Sequence, residues 1–474
     1  DRHDMLRLRV TGGEPGREPG SGSPPEEAGP RRYEILPPGA VMAADCVRRV
    51  RLGDTPGQAL AGHVGEAQAG PRAVSECAGE AWAGSAQGSG RGLTQVVAEE
   101  AARSRAELDP AAGRMVRVAW LDAGPGASGR LVVTVHHLCV DGVSWRILLP
   151  DLFTAWAAAV RGERAGLAPV PTSFRTWARR LHAEAAGRVG ELDLWADILD
   201  GPDPRIGRRP LDPRTDTAAT LRGLRRTLPP ERTRPLLSDV PAAFHGRVND
   251  VLLAGLALAV THWRRRRGGR GTSVLLDLEG HGREDVFPGV DLSRTVGWFT
   301  TVHPVRLDPG PGGWSGERAA AQAIKKVKEQ IRAVPDPLGY GMLRHLVPET
   351  AQKLAELPRP QLLFNYLGRV AVTDGDWNLV PADVGGYDPA MPVSHVLEIN
   401  VTTHDRPDGP HLEAVWSWPG GLLDEAEVAE LADTWFEALD GLAAHGSGGY
   451  TPSDLLVDLG QDEIDRIQAA WEQR

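Results

Sequence analysis

Two imidazoles and a carboxylate share one short run, His136-His137-Leu138-Cys139-Val140-Asp141-Gly142. Imidazole titrates near neutrality, so such a run suits the movement of protons. Far along the chain, Glu279-Gly280-His281-Gly282-Arg283-Glu284 sets a carboxylate in a turn whose glycines let a substrate approach the backbone. That carboxylate becomes an acid or base near neutral pH if burial raises it from about 4.3. A third run, Phe364-Asn365-Tyr366-Leu367-Gly368-Arg369, offers an amide that can donate to a carbonyl or oxyanion and a phenol that can orient or shuttle a proton. Each run also has a plainer reading: a hydrogen-bonded histidine pair, a loop carboxylate paired with Arg283, and polar groups satisfying a strand end.

The flanking residues define the elements that must position these groups. Residues 130–135 are apolar and β-branched and read as a buried strand, and 147–160, dense in Leu, Ala and Trp, read as a helix. The histidines therefore occupy a strand-to-helix turn. Successive strand residues face opposite sides, so one of His136 and His137 is catalytic and the other structural if the strand runs through them. Asp141 is near enough to fold back and fix the turn, and Gly142 permits a tight approach or positive φ. Pro150 inside the helical pattern would remove a hydrogen bond and clash with the carbonyl of Arg146 at a cost of about 3 kcal/mol. The helix is thus expected to start later or to kink there.

Glu279 follows a strand at 272–278, and Asn365-Tyr366 closes the apolar stretch of another at 361–367. Residues 294–304 (Arg-Thr-Val-Gly-Trp-Phe-Thr-Thr-Val-His-Pro) read as structural, with Trp298 and Phe299 lining a channel. Further strands are expected at 3–10, 115–121, 301–307, 396–404 and 412–418. Helices are expected at 96–108, 317–333, 424–442 and 462–473, with Asn249 capping another at 250–263. Trp177 and Trp195 read as core. Residues 12–30 and 60–92 are Gly-rich, without periodicity, and read as mobile loops.

The length of 474 residues suggests two domains, and the net charge of −10 argues against nucleic acid as the main partner. The basic clusters Arg208-Arg209 and Arg264-Arg265-Arg266-Arg267 read as solvated helix ends or loops. Cys46, Cys77 and Cys139 match no zinc or redox spacing and suit a reducing compartment. No apolar run reaches membrane-spanning length. There is no Walker loop, no dinucleotide fingerprint after a strand, and no Gly-x-Ser-x-Gly elbow. The adjacent histidines lack the i, i+4 spacing of a helical zinc protease, so no metal site is expected. Asp1 to Val10 already reads as domain interior, and the chain is expected to be a piece of a longer polypeptide.

Six runs, at 136–145, 249–254, 279–284, 294–304, 335–341 and 364–369, agree in order and spacing with one family. The chain resembles the epimerization domain of nonribosomal peptide synthetases, a branch of the condensation-domain superfamily. The histidine run is common to the superfamily; Glu-Gly-His-Gly-Arg-Glu with Phe-Asn-Tyr-Leu-Gly-Arg separates epimerization from condensation. The resemblance implies an α/β (α+β) fold of two chloramphenicol-acetyltransferase-like lobes in a V. The N-terminal lobe would span 1–200, without the family's opening strand and helix. A linker would follow at 201–217, a C-terminal lobe at 218–460, and an exit helix at 461–474. A tunnel between the lobes would receive the phosphopantetheine arm of a peptidyl carrier protein, upstream in the same polypeptide, with a condensation domain downstream.

The resemblance further implies that His137 and Glu279 are catalytic, with His136, Asp141, Gly142, His281, Asn365 and Tyr366 in support. The implied reaction is L-to-D epimerization of an aminoacyl or peptidyl thioester, in the cytoplasm, with no cofactor bound by the domain itself. Amide-forming condensation and an inactive carrier-docking module are the alternatives. Pro150, and Leu338 within the glycine-rich run at 335–341, depart from the family pattern.

Overall fold

The computed structural model describes residues 1–12, 31–52, 92–371, 377, 386–445, 448–455, 457 and 459–472. Apart from Gly12 and Gly92, the expected loops at 12–30 and 60–92 lie outside the described residues. The fold is mixed α/β, with three sheets among those residues.

Two small sheets come from the first third of the chain. Strand β1 (Leu8–Thr11) pairs antiparallel with β2 (Arg32–Ile35). Strand β3 (Val47–Arg51) lies parallel to β4 (Val116–Asp122), which pairs antiparallel with β5 (Arg130–Val135). Alternation along β4 and β5 turns Ala119, Leu121 and Val132 toward Ala101 on the helix Leu93–Ala106, leaving Trp120 and Leu131 exposed.

The third sheet collects β6 (Leu221–Leu228), β7 (Val274–Gly280), β8 (Thr301–Leu307), β9 (Leu362–Ala371), β10 (Leu397–Arg406) and β11 (Gly409–Pro419). Their order is β6-β11-β10-β9-β7-β8. The central strands β7, β9 and β10 run parallel, and the remaining pairings are antiparallel. One face packs Leu276, Leu278, Phe364, Ile399 and Trp416 against the helices Val248–Arg266 and Glu425–His445 to form the main core. The first of these helices is buried along nearly all its length, as its apolar sequence requires. Opposite, Leu275 packs on Trp195 and Leu199 of the helix Leu192–Leu199. Trp195 is fully buried, and truncating it to Ala should cost about 3–5 kcal/mol.

Several elements differ from expectation. The helix after the histidine turn begins earlier than Ile147 and runs through Pro150, spanning Gly142–Val160. Its start is set by a cap: Asp141 accepts from the Ser144 N–H at 2.7 Å, and the Ser144 hydroxyl lies 3.3 Å from the Asp141 N–H. Asn249 is not a cap, because the helix there begins at Val248 and Asp250 accepts from the Arg247 N–H at 2.7 Å. Residues 4–7 form a short 3-10 turn before β1 rather than strand. Strand β6 carries arginines at several of its positions, which hides it from apolar periodicity. The basic cluster at the end of Val248–Arg266 is matched by acids: Arg264 meets Asp203 at 2.7 Å, and Arg266 and Arg267 meet Glu430. Leu338 opens the helix Leu338–His345 and packs with Trp177 and Phe287, so it serves the core. No single helix among the described residues is long and apolar enough to cross a membrane.

Candidate functional site

Strand β5 stops at Val135, and the chain turns through a 3-10 segment at His137–Cys139. His136 ends the strand and caps that segment, its Nδ1 accepting from the Leu138 N–H at 3.2 Å. Burial lowers the His136 pKa below its ordinary value, and the neighbouring His137 lowers it further. His136 is thereby held as a neutral acceptor inside the turn. His137 is half-buried, its ring 4.4 Å from that of Trp298. Burial pushes the Cys139 thiol up to about 12, which removes it as a nucleophile near neutrality.

Asp141 is the hub that joins this turn to distant sequence. Its carboxylate, 2% exposed, accepts from the Ser144 N–H and hydroxyl, both at 2.7 Å, and from the Phe299 N–H at 3.1 Å. Arg283 Nη2 donates to its two oxygens at 2.8 and 3.0 Å. A buried carboxylate is tolerated when paired and hydrogen-bonded in this way. Burial pulls the Arg283 pKa down from its ordinary value, and Asp141 opposes that pull. Gly142 follows as the first helical residue; of the tight approach or positive φ that a glycine permits there, it does not adopt the positive φ.

The segment 294–300 straps the helix Gly142–Val160 to the second half of the chain, which is the structural role expected of it. Arg294 meets Asp151 at 2.6 Å, Thr295 donates to Thr172 O at 2.6 Å, and the Gly297 N–H donates to the Ser144 hydroxyl oxygen at 3.1 Å. Of the two aromatic residues expected to line a channel, Phe299 is buried, whereas Trp298 is 44% exposed beside His137.

Glu279 sits near the end of β7, half-buried, opposite Val302 of β8 and Asn365 of β9. Alternation places Leu276 and Leu278 on the main core and Glu279 on the other face. The turn after it needs glycine at Gly282, where φ is +65° and a Cβ would fall 1.6 Å from Phe299 O. Arg283 then reaches Asp141 instead of serving as the simple partner of Glu279. His281 is exposed; its Nδ1 accepts from the Arg283 N–H at 3.0 Å and its Nε2 lies 3.5 Å from Glu284.

Asn365 Nδ2 donates to Glu279 Oε1 at 2.9 Å. The next residue turns to the opposite face: the Tyr366 hydroxyl pairs with Thr403 at 3.0 Å and the ring packs against the main core. Tyr366, expected with Asn365 near the substrate, lies on the opposite face of the strand from Asn365, and burial raises its phenol pKa. The same strand is tied to the histidine turn's helix by Arg146 Nη2, which donates to Leu367 O at 3.3 Å.

The arrangement can move protons. It brings Glu279 and Asn365 into contact and couples their turn to the His137 turn through Arg283 and Asp141. Ser144 is not among the residues expected from the sequence, although Asp-x-x-Ser at a helix start is a readable cap signal.

Residues 92–464 match the Condensation domain family. A linear gramicidin synthase polypeptide of Brevibacillus parabrevis is 36% identical over 382 residues, covering 78% of this chain and 5% of that protein. Tyrocidine synthase 1 of the same organism is 31% identical over 399 residues, covering 79% of this chain and 35% of that one. The chain thus spans about a third or less of the length of these curated relatives. The crystal structure of the epimerization domain from the third module of tyrocidine synthetase B is similar with a TM-score of 0.70 at 26% identity, over 94% of this chain and 85% of that one. The first condensation domain of the calcium-dependent antibiotic synthetase, in complex with a substrate analogue, shares the fold with a TM-score of 0.58 at 18% identity, over 94% and 86%. With the family match running from the helix Leu93–Ala106 into the C-terminal helix and taking in all three converging segments, this chain belongs to the condensation-domain family.

Proposed function

We propose that the chain epimerizes the α-carbon of an aminoacyl or peptidyl thioester carried on the phosphopantetheine arm of a peptidyl carrier protein. The observation that carries this reading is the hydrogen bond from Asn365 to Glu279. It joins the two segments by which the sequence resembles epimerization rather than condensation domains, and it stabilises a carboxylate in its ionised, proton-accepting form. The similarity to an epimerization domain supports the same reading.

A thioester acidifies its α-carbon, so a positioned base can remove that proton without a bound cofactor. Glu279 takes the proton from one face and His137 delivers one to the other, and in the reverse direction the roles exchange. Positioned acid–base groups of this kind contribute about 10²- to 10⁴-fold each. Asn365 fixes the carboxylate, Arg283 and Asp141 fix the histidine turn, and Trp298 flanks the His137 ring.

The test is solvent exchange. The domain is incubated in heavy water with carrier proteins loaded with a panel of L-aminoacyl groups, and the α-carbon is analysed by mass spectrometry and chiral chromatography. Deuterium at the α-carbon with mixed chirality is expected. Amide formation with an added acceptor and no label would assign condensation instead. Carrier binding without label or amide would leave a docking module.

A further inference from the structure

Beside Glu279, on its own face of the sheet, lies a charged cluster around a buried histidine that the proposed reaction does not use. Asp277 is two residues before Glu279 on β7, about 6.6 Å back along the strand and on the same face. Register aligns Asp277 with Leu363 of β9 and Leu363 with Glu398 of β10, so one cross-strand row reads Asp277, Leu363, Glu398. The next row reads Glu279, Asn365, Asn400. His395, from the segment entering β10 and 8% exposed, bridges the first row. Its Nε2 is 2.8 Å from Asp277 Oδ2 and its Nδ1 3.9 Å from Glu398 Oε1. The segment is anchored around it, with Val396 N–H donating to Gln361 O at 2.9 Å and Val393 N–H to Asp216 O at 2.9 Å.

We propose that His395 is a positioning residue for Glu279: an imidazolium held between Asp277 and Glu398 that keeps two carboxylates from facing Glu279 uncompensated. The proposal rests on Glu279 as the proton-transferring carboxylate. With the imidazolium in place, the row behind Glu279 carries one net negative charge; without it, the row carries two. The cation also engages Asp277, so that this carboxylate does not compete with Glu279 for Asn365.

Burial pulls His395 down, but the hydrogen bond to Asp277 and the negative charges of Asp277 and Glu398 outweigh that pull and raise it to about 9. The imidazole is therefore charged at neutral pH. Among the described residues, His303 of β8 and Tyr340 of the helix Leu338–His345 also feel the charge of Asp277, and Arg344 and Arg359 act on Tyr340. Burial lowers His303 to about 4, which keeps it neutral, and raises Tyr340, which keeps it a neutral phenol. His395 is accordingly a cation that bridges this row.

The test reads the carboxyl of Glu279 by carbon NMR on the whole chain labelled at glutamate, free of substrate, with the signal assigned by its loss in Glu279→Gln. In His395→Gln the Glu279 titration midpoint should rise by about 0.4 to 2 pH units, the Coulomb effect of one charge if the roughly 6.6 Å between the two rows is taken as the separation, at an effective dielectric between about 80 and 20. His395→Lys, which restores the charge, should return it. Glu398→Gln removes one negative charge at a partly exposed position and should lower it, which provides a reading if His395→Gln does not fold. An unmoved midpoint in folded His395→Gln, or in Glu398→Gln if the former is unfolded, overturns the proposal. Because no substrate is present, the outcome stands apart from the solvent-exchange test: coupling without α-exchange would retire the epimerase reading alone, and exchange without coupling would retire this one alone.

Discussion

Arg283 Nη2 donates to both carboxylate oxygens of Asp141, at 2.8 and 3.0 Å, and so binds the turn that follows Glu279 to the turn that carries His137. The two residues are 142 positions apart, and both side chains are almost fully buried. The pair is the electrostatic joint of the site.

Breaking this joint from one side should be costly. Arg283→Met leaves the Asp141 carboxylate buried without its cation, and a loss of about 3–5 kcal/mol is expected in urea unfolding. Adding Asp141→Asn should recover part of that loss, with a coupling of about 0.5–3 kcal/mol. Strict additivity of the two substitutions would show that the pair is not coupled.

The Glu279 and Asn365 contact separates a reacting group from its support. Glu279→Gln should lower α-proton exchange by at least about 10²-fold while carrier binding, measured by calorimetry, stays unchanged. Asn365→Ala removes one hydrogen bond to a charged group, worth about 1.5–3 kcal/mol, and should lower exchange about ten- to hundredfold. Wild-type exchange in Glu279→Gln would remove that residue from the mechanism.

Gly282 should not tolerate a side chain. Its positive φ alone costs an alanine about 1–3 kcal/mol, and the added Cβ would collide with Phe299 O. Gly282→Ala is expected to reduce stability and to lower exchange more than an alanine at Gly289. That second glycine also has positive φ but has open space around it. Equal effects at the two positions would show that the approach to Phe299 is unimportant.

Two buried histidines should give stability a maximum near pH 6.5. His303 is lowered to about 4 by burial, so between pH 6.5 and 4 the unfolded chain binds more protons and stability falls on acidification. His395 is raised to about 9, so its contribution is complete below pH 6.5 and is lost as pH rises toward 9. Urea midpoints at pH 4.5, 6.5 and 9 test both arms. His303→Phe should flatten the acid arm and leave the alkaline one, and an unaltered acid arm would count against His303.

Much of the fold is legible in local pattern. The helix Glu317–Ala333 and the strand Thr301–Leu307 fall where apolar spacing sets them, because a buried face imposes its period on the sequence. The arginine-bearing β6 escapes that logic, since much of its length faces outward and its place is fixed by pairing with β11.

The sequence by itself determined which groups are available for chemistry: the two histidines, Asp141, Glu279 and Asn365, each marked by residue type and by a turn or strand end. Tertiary structure decided how they are used. Strand alternation sent Asn365 to Glu279 and Tyr366 to Thr403, and the cap at Asp141 set where the helix begins. Long-range pairing chose Asp141 as the partner of Arg283 and brought His395 to Asp277 across 118 residues. No local spacing encodes those meetings, because they depend on which strands lie side by side and on which buried charges must be neutralised once water is excluded.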